Sequence, residues 1–86
     1  MNKKENNVKK KTIKRWIEDH EYYHNGYHKL SGVNVCATKI NYDEDDVEAG
    51  KIKVTATIEV DFYNDNRSEK FGNCEYIIPI EELRNI

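Results

Sequence analysis

The chain predicts an α+β fold: an N-terminal amphipathic helix packed on a three-stranded antiparallel meander, closed by a short C-terminal helical turn, in the order α-β-β-β-α. Two patterns carry this expectation. From Lys51 to Tyr63 every even position is apolar (Ile52, Val54, Ala56, Ile58, Val60, Phe62), while Lys51, Lys53, Thr55, Thr57, Glu59 and Asp61 alternate with them. Such alternation marks a strand with one face buried and the other in solvent. Upstream, Ile13, Trp16, Ile17, His20, Tyr23, His24 and Tyr27 recur at spacings of three and four, which places them along one face of a helix.

In chain order, residues 1–7 are polar and aperiodic and read as a mobile basic tail, and residues 8–86 as a single domain. The helix is expected over about 8–25, because Asn25-Gly26 tolerates the left-handed backbone that ends helices. Ser31-Gly32 turns the chain into a first strand, Val33 to Tyr42. An acidic loop, 43–48, leads to the second strand, Lys51 to Tyr63. The polar turn 64–68 precedes a third strand, Phe71 to Pro79, with Cys74, Tyr76 and Ile78 on its even face. Proline ends that strand, and Ile80 to Arg84 begins a helical turn with carboxylates where its dipole favours them.

Composition narrows the function. In 86 residues, 37% are apolar and 35% charged, and the mean hydropathy is −0.95, so one modest core must come from a few well-patterned segments. No apolar run approaches the roughly 20 residues that cross a bilayer, and Met1 to Asn7 lack the apolar region of a signal peptide. The expectation is a cytoplasmic protein without a membrane partner. Cys36 and Cys74 are too few for a disulfide framework and read as buried free thiols; both hold even strand positions that would share the helix-facing side.

His20-Glu21-Tyr22-Tyr23-His24 matches H-E-x-x-H, which on a helix sets two imidazoles on one side to hold Zn²⁺ with a glutamate beside them as base. Continued to His28, the segment resembles the metzincin motif H-E-x-x-H-x-x-G-x-x-H. Its glycine comes one residue early and its last histidine two early, so no third ligand is supplied. On a helical wheel His20 and His24 fall between Trp16 and Tyr27 on one side and Ile17 on the other. In the middle of the apolar stripe, an imidazole packs against the sheet with its nitrogens hydrogen-bonded. The expectation is therefore no enzyme and no cofactor, with zinc held by His20 and His24 as the alternative.

Charge is distributed unevenly. Residues 1–31 carry about +4 and residues 32–86 about −6, within a net −2. The densest acid is Asp43, Glu44, Asp45, Asp46 and Glu48, which Glu59 and Asp61 would extend across the exposed sheet face. An acidic surface of this kind speeds association with a basic partner and selects it. The segment lacks the glycine of a calcium-binding EF-hand loop. Thr55 and Thr57 on the same sheet face could serve a homodimer.

Lys3, Lys4, Lys9, Lys10, Lys11, Lys14 and Arg15, near Trp16, offer a third reading as a nucleic-acid contact. The element order resembles the double-stranded RNA-binding domain. That family needs lysines at the second helix and a groove-reaching first loop, where this chain has Glu81-Glu82 and Asp43 to Glu48, so nucleic acid is not the expected partner.

Lysine outnumbers arginine 11 to 3, a bias of AT-rich genomes. With this size and organisation the chain resembles small phage-borne inhibitors of the anti-CRISPR type, a resemblance of arrangement and composition that carries no residue role. It implies a non-enzymatic protein-binding module, an inhibitor that blocks a basic site on a nucleic-acid-handling protein.

Overall fold

The computed structural model describes residues 9–84, so the basic tail over 1–7 lies outside the described residues. Helix α1 spans Lys10–His24. Strands β1 (Val33–Glu48), β2 (Lys51–Phe62) and β3 (Arg67–Pro79) form one antiparallel sheet in the order β1-β2-β3, and helix α2 covers Ile80–Arg84. The α-β-β-β-α meander read from the sequence is the fold. Single 3₁₀ turns at Tyr27–Lys29 and Tyr63–Asp65 complete the connections.

The core forms around the even face of β2. Ile52, Val54, Ala56, Ile58 and Val60 are buried and meet Ile13 and Ile17 of α1, Tyr76 and Ile78 of β3, and Ile80 and Leu83 of α2. Each fully buried aliphatic side chain contributes about 1.5–3 kcal/mol by leaving water. β2 therefore supplies the largest single share of the hydrophobic stabilisation. Helix α1 ends where expected: Asn25 caps it and Gly26 takes a left-handed φ of 77°.

Both outer strands are longer than the sequence suggested. β1 does not stop at Tyr42; residues 43–48, expected as a loop, are its distal part, with Val47 opposite Ile52 and Glu48 opposite Lys51. β3 starts at Arg67, so the polar turn shrinks to the 3₁₀ turn and Asn66. The sequence does not mark these extensions because alternation is broken in both strands by bulges, where extra residues on one strand face fewer on its neighbour.

Between Thr38 and Asn41, β1 advances three residues while β2 advances two, with Lys39 left-handed at φ 49°. Between Tyr42 and Val47 it advances five against two. Each odd-numbered excess exchanges the inward and outward faces. Inward positions on β1 are therefore Val33, Val35 and Ala37, then Ile40 and Tyr42, then Val47. β3 has one such excess between Phe71 and Cys74, where Asn73 is left-handed at φ 55°.

The first exchange corrects the cysteines. Cys36 lies before the bulge and pairs with Glu59 on the outer face, whereas Cys74 pairs with Ala56 on the inner one. They stand on opposite sides of the sheet, each half-buried rather than buried.

The apolar stripe of α1 is also buried over only part of its length. Ile13 and Ile17 are fully covered, but His20 is half-buried and His24 exposed, so the histidines do not sit under the sheet as the wheel implied. Toward β1, Glu18 accepts a hydrogen bond from the backbone N–H of Ala37 (3.0 Å) and an ion-paired one from Lys14. This occupies a donor on an edge strand that would otherwise be open to pairing. Ile17→Ala should cost about 2–5 kcal/mol in chemical denaturation, whereas His24→Ala should stay within about 0.5 kcal/mol. Similar losses for the two variants would mean the stripe is buried along its whole length.

Candidate functional site

The H-E-x-x-H segment falls entirely within α1, as expected, so His20 and His24 share a side and their rings lie 4.2 Å apart. Glu21 does not join them. One carboxylate oxygen accepts the Tyr76 hydroxyl at 2.6 Å, and the other accepts the Asn25 side-chain amide. To act as a base on water held by the imidazoles, this carboxylate would have to release both partners. It anchors the helix to β3 instead, through the one polar group that Tyr76 brings into the core. Burial, and then the carboxylate of Glu21 beside it, push the Tyr76 phenol well above its ordinary value, so it stays a donor.

His20 stacks on Trp16, with ring centres 4.8 Å apart and planes 12° from parallel, and Tyr76 meets both rings edge-on. The Trp16 indole N–H donates to Glu82 of α2 at 2.7 Å, which joins the two helices. Burial lowers the His20 pKa below its ordinary 6.5, and neighbouring His24 lowers it further, against a smaller opposite pull from Glu21 and Glu82. Among the described residues, no three His, Cys, Asp or Glu side chains are grouped so as to hold a metal ion.

These side chains form one wall of a groove of about 530 Å³ along the β3 edge. Trp16, His20, Tyr23 and His24 line it from α1, Ile77 and Pro79 from β3, and Asp19 and Glu82 add carboxylates. Sequence reasoning missed this groove. A signal was available, because two consecutive isoleucines in a strand, Ile77-Ile78, must send one side chain away from the core. Ile78 is buried, and Ile77 is left 56% exposed.

The acidic residues form two groups rather than one. Asp43, Glu44 and Asp45 are exposed in the long bulge of β1, where the Asp43 carboxylate accepts the Asp45 backbone N–H at 2.9 Å. Asp46 belongs to the same bulge and Glu48 follows it, opposite Lys51. Glu59 and Asp61 lie toward the far end of β2, and Glu59 is about 23 Å from Ile52 at the rise of an extended strand. There Glu59 accepts from Thr38 at 3.2 Å and pairs with Lys70, and Asp61 accepts from Ser68 at 2.7 Å. Lys51, Lys53 and Thr55 separate the groups on that face.

The nearer continuation of the acidic end runs the other way. Pro79 pairs with Lys51 on the side opposite Glu48, and α2 then presents the exposed Glu81 and Glu82. Of the basic residues upstream, Lys9, Lys10, Lys11 and Arg15 are exposed, while Lys14 is engaged by Glu18. Among the described residues, no helix is long and apolar enough to cross a membrane. No known protein family, curated protein or solved structure matches the chain.

Two outcomes follow from this arrangement. Tyr76→Phe removes the donor to Glu21 and should cost about 1–2 kcal/mol in denaturant unfolding, as for a partly exposed hydrogen bond to a charged group; unchanged stability would mean Glu21 is free. Because the folded state binds the His20 proton more weakly than the unfolded state, the stability His20 contributes is complete above pH 6.5 and declines as pH falls through the lower folded value. The thermal midpoint should therefore drop between pH 7 and 5 more steeply for the native protein than for His20→Gln, and parallel curves would contradict this.

Proposed function

We propose that the protein is a non-enzymatic binding module whose acidic end docks onto a basic site of a nucleic-acid-handling protein and blocks it. The observation that carries this reading is the bulge between Tyr42 and Val47. It lifts four consecutive acidic residues out of a regular ladder, and among the described residues Asp43, Glu44 and Asp45 have no cationic partner. Unpaired exposed carboxylates on a folded strand retain their charge for a partner and need little ordering on binding. Glu48 and Glu81 extend the surface around the same end, and Glu59 and Asp61 form a separate, internally paired patch that contributes less.

Affinity capture from host lysate, read by quantitative mass spectrometry, tests this. The expected result is enrichment of proteins that bind nucleic acid, released by raised salt or by competing DNA, and lost with Glu44→Lys/Asp45→Lys. Each reversed charge should weaken steering most at low ionic strength, where the Debye length is longest. Capture indifferent to salt, to DNA and to the double variant would overturn the reading.

A further inference from the structure

The groove between α1 and the β3 edge has a composition that the acidic end does not explain. Its walls are aromatic and apolar, yet among its lining residues the only charged side chains other than imidazoles are the carboxylates of Asp19 and Glu82. Among the described residues, no lysine or arginine lines it. Glu82 is held in place, because one of its oxygens accepts the Trp16 indole N–H at 2.7 Å. Ile77 and Tyr23 remain exposed at 56% and 60%, so the apolar walls are open to an incoming group.

Flat rings beside carboxylates are the surroundings that stabilise a planar cation. A guanidinium stacks on an aromatic face while its N–H fork reaches a carboxylate, and its weak hydration lowers the cost of leaving water. An ammonium is more strongly hydrated and cannot match the fork. The stem of an arginine side chain would lie along Ile77, covering apolar surface that is now exposed.

We propose that this groove is a binding site for an arginine side chain, presented by a partner protein beside an apolar residue. The occupant is set by charge complementarity with Asp19 and Glu82 and by the aromatic side chains of Trp16 and Tyr23, whereas His20 is already packed between Trp16 and His24. The residues that line it include none from the bulge of β1, so the site does not depend on it. A partner that used both would be held by an arginine anchor on the β3 side and by diffuse attraction at the acidic end.

Trp16 is the only tryptophan in the chain, so its fluorescence reports directly on the groove. The probe is the peptide acetyl-Gly-Leu-Arg-Leu-Gly-amide, titrated into the full-length protein beside counterparts with citrulline or lysine in place of arginine. Citrulline keeps the shape of the guanidinium without its charge. The expected result is saturable quenching by the arginine peptide, with binding roughly tenfold weaker for citrulline and intermediate for lysine.

Glu82→Gln keeps an oxygen for the Trp16 N–H while removing the charge, and Asp19→Asn alters an exposed residue. Both should weaken the arginine peptide several-fold and leave the thermal midpoint nearly unchanged. Glu44→Lys/Asp45→Lys should leave peptide binding intact, which separates this site from the acidic-end reading. Equal binding of the arginine and citrulline peptides, or no quenching by any of them, would overturn the proposal.

Discussion

Every other element is positioned by the need to cover the inward face of β2. Ile52, Val54, Ala56, Ile58 and Val60 have almost no exposed surface. In a chain of this size no second cluster could replace their burial. α1 crosses this face with Ile13 and Ile17, β1 and β3 flank it, and α2 closes one end with Ile80 and Leu83. The outer strands must keep apolar side chains inward beside β2, and their own sequences do this only with interruptions. The bulges are the structural answer: an extra residue restores the facing of Ile40 and Tyr42, and three more restore that of Val47.

That correction has a functional consequence. The residues displaced from the ladder between Tyr42 and Val47 are acidic, so the same irregularity that keeps Val47 over the core presents Asp43, Glu44 and Asp45 to solvent. On a regular strand alternate carboxylates would point at the core, at a cost of several kcal/mol for each buried charge. Charge density and backbone irregularity therefore have one cause. The groove at the other edge has a similar origin, since burying Ile78 leaves Ile77 outside.

The sequence revealed most where a single period was unbroken. The alternation in β2 and the three-and-four spacing in α1 identified both elements and most of the core, and Asn25-Gly26 located the helix end within a residue. Legibility failed where parity changed. Lys39 carries no sign that it will be left-handed, so parity alone places Cys36 on the wrong face of the sheet, and the acidic run of the second bulge hides the distal part of β1. The histidines failed differently. Their wheel position was right, but a wheel does not contain how far a sheet extends beneath a helix, nor that Tyr76 would draw Glu21 away from them. The groove brings Trp16 beside Glu82, 66 residues apart, a meeting that only the closed fold creates.

Hydrogen exchange resolved by residue tests most directly whether β2 organises the molecule and the β1 bulge stands outside its ladder. Amides of β2 should be the slowest in the chain and exchange only through global unfolding, while Asp43 and Glu44 exchange through local openings of near-zero cost, Asp45 is slowed only by its hydrogen bond to the Asp43 carboxylate, and protection returns at Val47 and Glu48. Protection of residues 43–45 equal to that of β2, or a β2 that opens before the strands on either side, would contradict the account.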